Sequence, residues 1–114
     1  MNWGKSWADG HIAALKRGET VSFRPHGRSM EPLIKSGALC TVESVDIVVH
    51  PSEVKAGDVV LCRVGNAQYL HLVKAIRFAG ANRGAELQIG NNKGGVNGWI
   101  PPADVYGKLV KVEA

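Results

Sequence analysis

Residues 57–79 read "GDVVLCRVGNAQYLHLVKAIRFA". Two runs rich in Val, Leu, Ile and Tyr lie on either side of Gly65-Asn66-Ala67, the pattern of strand formers around a tight turn that marks a β-hairpin. The first arm covers Asp58 to Val64 and the second Gln68 to Ala79. Along the second arm, period-two alternation puts Tyr69, His71 and Val73 on one face and Leu70, Leu72 and Lys74 on the other. A histidine between leucines at strand spacing is ordinarily a half-buried, hydrogen-bonded residue. Its imidazole nevertheless titrates near ~6.5, so it can accept a proton at neutral pH without the large pKa depression a lysine needs.

Strand signals continue on both sides of this hairpin. "TVSFRP" (20–25) reads as a strand, "ALCTVESVDIVVH" (38–50) as one bent strand or two, "ELQIG" (86–90) as the return from a turn at "GANRG" (80–84), and "DVYGKLVKV" (104–112) as the last strand. The intervening "NNKGGVNG" (91–98) reads as a polar, glycine-rich loop. Only residues 6–17, "SWADGHIAALKR", have helical character: Trp3, Trp7 and Leu15 fall near one face, Lys16 and Arg17 suit a C-terminus, and Gly18 is a left-handed stop. The expected fold is all-β, one domain over 1–114, with a helical segment at 1–18 and a β core over 19–114.

At 114 residues there is room for one core and not for two domains of ordinary size. The longest apolar runs stop after a few residues, far short of the roughly 20 needed to span a bilayer. The N-terminal "MNWGKSWADGH" lacks the basic-then-apolar layout of a secretory signal. A soluble, cytoplasmic protein without a membrane anchor is expected. Cys40 and Cys62 lie in apolar runs with neither CxxC spacing nor a pair of histidines nearby, so they read as buried free thiols, and no metal or cofactor is implied. The net charge of +4 invites a nucleic-acid partner, but the lysines and arginines stand singly from Lys5 to Lys111, interrupted by acids, unlike the runs that follow a phosphate backbone.

The other chemistry-bearing stretch is "RPHGRSMEPLIKSG", residues 24–37. A serine hydroxyl is a poor nucleophile until a neighbour accepts its proton, and the carbonyl it attacks needs donors aimed at the developing oxyanion. Gly27 permits a sharp turn that would bring the backbone N–H groups of Arg28 and Ser29 toward such a carbonyl, and Pro32 stiffens the chain behind. Among the bases, His71 could act without a large pKa shift, but a strand histidine between leucines carries little weight on that ground alone. His26 sits in the same turn and suits loop shape or substrate contact, while His11 and His50 have nothing to recommend them.

The ordered set "G-x-SMEP" (27–32), "GALCTV" (37–42), "VKAGDVVLCRV" (54–64), "YLHLV" (69–73), "IGNN" (89–92) and "VYGKLVKV" (105–112) resembles the superfamily of type I signal peptidases and LexA-like self-cleaving serine proteases. The resemblance runs from about Phe23 to the C-terminus. It implies a catalytic core of short, bent strands and a peptidase acting through an acyl-enzyme. Ser29 is then the nucleophile and His71 the base, as in the histidine-type signal peptidases, with Lys74 as the alternative base. Gly27, Met30 and Pro32 would border a protein or peptide substrate.

The chain departs from the family pattern in two places. Gly37-Ala38 stands where a Gly-Asp pair is usual, and Gly90 stands where histidine-type relatives carry an aspartate that assists the imidazole. Asn91, Asn92 or Asp58 are the candidates for that orienting role. Fewer than thirty residues precede the serine, too few for the DNA-binding domain of LexA-like proteins, so cleavage of another chain is expected over self-cleavage. The departures also leave open a binding module that keeps the fold without the hydrolysis.

Overall fold

The computed structural model describes residues 6–78, 80 and 84–114. Among these, seven strands form one antiparallel sheet preceded by a short helix, so the fold is β-dominated as expected. The helix, α1 (Asp9–Lys16), is shorter than the 6–17 expected because Ser6–Ala8 form a turn instead, with the Asp9 N–H donating to Ser6 O. It ends on Gly18 at φ +85°, where the Gly18 N–H donates to Leu15 O and the Glu19 N–H to Ala14 O. These paired bonds satisfy carbonyls that a helix end otherwise leaves open. Trp3 lies outside the described residues, whereas Trp7 and Leu15 do turn inward.

The strands are β1 (Val21–Phe23), β2 (Leu39–Ser44), β3 (Val59–Val64), β4 (Ala67–Phe78), β5 (Ala85–Gly90), β6 (Val96–Ile100) and β7 (Val105–Glu113), in the order β1-β2-β7-β3-β4-β5-β6. The β3–β4 hairpin closes with Val64 opposite Ala67, around Gly65 at φ +59° and Asn66. Alternation on β3 sends Val59 and Leu61 to one apolar cluster and Val60 and Cys62 to a second. On β4, Leu70 and Leu72 join the first, Tyr69 and Val73 the second, and the pattern breaks at a bulge between Val73 and Ala75 that holds Lys74. The first cluster is closed by Ala8 in the turn before α1, by Ile12 and Leu15 of α1, and by Met30 and Ile34 from the serine loop.

Two expectations are corrected. "DIVVH" is not strand: the Asp46 carboxylate accepts the N–H groups of Val48 and Val49, and the His50 N–H donates to Asp46 O, which folds the segment into a turn with both valines exposed. A side chain that competes for backbone donors in this way overrides the β preference of valine. Conversely, part of the supposed loop 91–98 belongs to β6. Much of the expected "GANRG" turn, residues 81–83, lies outside the described residues. No helix among the described residues is long and apolar enough to cross a membrane.

Candidate active site

His71 sits on β4 opposite Val60 of β3, one residue before β5 begins to pair at Leu72 and Gly90. Its β5-side flank is therefore uncovered by strand, and the loop 24–37 fills that place. The loop is pinned from below by Met30, which is fully buried in the first cluster together with Ile34. Burying such a side chain contributes about 1.5–3 kcal/mol, enough to hold the adjacent residue in register. From the side, the Asn92 N–H donates to Ser29 O (2.8 Å) and Asn92 Nδ2 donates to Glu31 O (3.0 Å). At the loop base Gly27, at φ +123°, donates its N–H to Ser36 Oγ (3.0 Å), and the Gly37 N–H donates to Pro25 O (2.7 Å).

The result is a contact between residues 42 positions apart: Ser29 Oγ lies 3.2 Å from His71 Nε2. On the opposite side of the ring, Nδ1 lies 2.7 Å from Oδ1 of Asn97 on β6. An amide oxygen only accepts, so Nδ1 carries the proton and donates to Asn97. Nε2 is then the lone-pair nitrogen, aimed at the serine hydroxyl. Tyr69 stacks on the imidazole with ring centroids 4.8 Å apart, which limits its rotation. His71 is only 4% exposed, and this burial pushes its pKa down to about 4, with the Asn97 hydrogen bond partly opposing the shift. The imidazole is neutral at pH 7 and free to accept.

The backbone beside Ser29 keeps its donors unengaged. Neither the Arg28 nor the Ser29 N–H donates to any acceptor among the described residues. A developing negative oxygen requires such donors, aimed at the position it will occupy.

The remaining expected site residues lie elsewhere or act otherwise. Asn91 is a loop residue: its Oδ1 accepts the N–H groups of Lys93 and Gly95 (2.8 Å each), and it does not reach the imidazole. Asn92 clamps the serine loop through Ser29 O and Glu31 O and does not orient the imidazole. Asp58 closes the turn before β3, accepting the Lys55 N–H (2.9 Å) and lying 3.7 Å from the Lys108 ammonium. Lys74, the alternative base, makes no hydrogen bond to Ser29. Its stem runs across Gly90, where a Cβ would meet Lys74 Cε at 2.8 Å and press still closer on Gly95 O. Gly27 and Pro32 are exposed at the loop surface, whereas Met30 is fully buried, side chain and backbone alike, and so does not border a substrate.

Asn97 was missed because its neighbours Gly94, Gly95 and Gly98 read as loop. The signal that could have found it is Val96 together with Trp99-Ile100, strand formers bounded by Pro101-Pro102. Compared with known proteins, the chain matches no family model and is similar to no curated protein. The functional reading therefore rests on the site's own geometry.

Proposed function

We propose that the protein is a serine endopeptidase of the signal-peptidase and LexA-like type, cleaving a specific protein or leader peptide. The observation that carries this reading is the 3.2 Å contact of Ser29 Oγ with an imidazole nitrogen whose other nitrogen is held at 2.7 Å by Asn97. Nucleophile, base and orienting group stand in line, the relation that acyl transfer needs.

Ser29 Oγ attacks the scissile carbonyl carbon as its proton passes to His71 Nε2. The carbonyl oxygen, now negative, takes hydrogen bonds from the Arg28 and Ser29 N–H groups. The C–N bond breaks as Nε2 returns the proton to the leaving amine, leaving an ester on Ser29. A water then repeats the sequence: it attacks the ester, His71 takes its proton, and the acid product leaves as Ser29 is reprotonated. Cytoplasmic residence suits the two free, buried thiols Cys40 and Cys62.

The low basicity of His71 favours a second reading, a binding module that keeps the fold with little turnover. A base whose conjugate acid has a pKa near 4 has a weak pull on a serine proton, and Asn97 supplies no negative charge to the imidazolium. A fluorophosphonate probe separates the two. The peptidase reading requires labelling at Ser29 that is lost in Ser29→Ala and falls at least roughly a hundredfold in His71→Ala. Labelling unchanged by His71→Ala, or none at all in the native chain, removes it.

A further inference from the structure

Away from the site several cations of the described surface have an acid beside them: Arg17 has Glu19, Lys55 and Lys108 share Asp58, Arg77 has Glu86 and Lys111 has Glu113. Lys16, set over the Tyr106 ring, Arg63 and Lys74 stand singly without an ion pair among the described residues. Around Ser29 the unpaired cations are gathered. Arg28 adjoins Ser29, Lys35 lies on the same loop, and Lys93 follows Asn92, whose N–H is bonded to the Ser29 carbonyl. All three are exposed, and none has an acidic partner among the described residues. Arg24 at the loop base also meets no acid; its guanidinium donates to Gly37 O (3.0 Å). The loop 24–37 carries Glu31 as its one acid against three cations.

We propose that this unneutralised rim selects acidic peptides, with Asp or Glu side chains flanking the bond presented to Ser29. The inference rests on the peptidase reading for its choice of a peptide, since the cations border the group that would attack a peptide carbonyl. Exposed ion pairs are individually weak, each worth up to about fivefold in binding. Several acting on one ligand give selectivity and faster encounter more than raw affinity. The same rim disfavours basic segments by repulsion, which narrows the substrate set.

The test uses the full chain carrying Ser29→Ala, which binds without cutting, and two fluorescent peptides: an alanine pair flanked by glutamates, and the same peptide with glutamines. Anisotropy titrations should show the glutamate peptide binding roughly five- to thirtyfold more tightly at low salt, with the advantage shrinking as salt rises. Lys35→Gln with Lys93→Gln should cut the preference by at least about threefold while leaving fluorophosphonate labelling of the Ser29-containing chain unchanged. Equal affinity for the two peptides, or a preference that survives the double substitution, overturns the proposal. So does tighter, rim-dependent binding of a DNA oligonucleotide, which would assign the cations to phosphates. Absent labelling with a persisting glutamate preference would sink the peptidase reading and leave the acidic-ligand assignment standing.

Discussion

The Nδ1 of His71 and the Oδ1 of Asn97 are 2.7 Å apart, although the two residues lie 26 positions apart on strands separated by β5. The contact requires the sheet to curl. Gly98, next to Asn97, packs so near β3 that a Cβ there would lie 3.2 Å from Val64 Cγ1. An amide in this position fixes the tautomer that leaves Nε2 basic, yet it lends no charge to the imidazolium formed when the serine proton arrives.

Removing that amide should release the ring. Asn97→Ala is expected to slow fluorophosphonate labelling of Ser29 by on the order of ten- to a thousandfold, less than the roughly 10⁴ seen when a triad partner forces the wrong tautomer. Asn97→Asp should match or exceed the native rate at neutral pH, because a carboxylate keeps the hydrogen bond and stabilises the imidazolium. Labelling by Asn97→Ala at the native rate would show that Tyr69 stacking alone orients the ring.

The pH dependence follows from the burial of His71. Its neutral form persists in the folded protein down to about pH 4, so labelling should stay level from neutrality to about pH 5 and fall only as pH approaches 4. Stability moves over a different window. The unfolded histidine takes up its proton near ~6.5 while the folded one does not until about 4, so the unfolded state binds more protons between these values. Stability is therefore lost as pH falls through that interval, by about 2–3 kcal/mol from this group. Urea titrations at neutral pH and near pH 4.5 check this, with His71→Gln showing the smaller loss. A labelling midpoint near 6.5 would mean that the base is solvated, contrary to its 4% exposure.

How far the sequence disclosed this site depends on which contacts are local. The Ser29 loop and the His71 strand were legible, since a glycine turn, an apolar anchor at Met30 and an alternating strand each declare themselves within a few residues. The third member was not. Asn91 and Asn92 drew attention by following Ile89-Gly90, whereas Asn97 sits in a glycine-rich stretch whose strand character comes from pairing with β5 and from the curl toward β3. Likewise the turn at 46–50 depends on one carboxylate choosing backbone donors two and three residues ahead, which valine-rich composition conceals.

Gly90 is the position where an acid would be sought, and the structure gives it no room. Gly90→Asp should lower stability by about 1–3 kcal/mol, the cost of forcing atoms into a packed site, because its Cβ would press on Gly95 O and the Lys74 stem. The displaced loop carries Asn92, so labelling at Ser29 should fall in the same variant. A melting curve and the labelling rate together test it. A native melting temperature with faster labelling would show instead that the loop yields and that the new carboxylate reaches the imidazole.

The last prediction concerns Gln68, which is fully buried on β4 three residues before His71. Its Oε1 accepts the Ala8 N–H (2.7 Å), its Nε2 donates to Asp9 Oδ1, and its backbone oxygen accepts the Trp7 indole N–H (3.0 Å). The start of α1, which has no cap from its own side chains, is thus satisfied by a strand 60 residues away. Gln68→Leu keeps the bulk and removes the partner, leaving the Ala8 N–H buried and unpaired at a cost of about 1–3 kcal/mol. Chemical denaturation should register that loss, and amide exchange should speed up at Ala8 first, since the fault lies at the helix start. The labelling rate of Ser29 should change little, because Asn92 still clamps the serine loop and the strand residues of the first cluster still enclose Met30. Exchange that rises across β3 and β4 as strongly as at Ala8 would instead make Gln68 a support of the strand that carries the base.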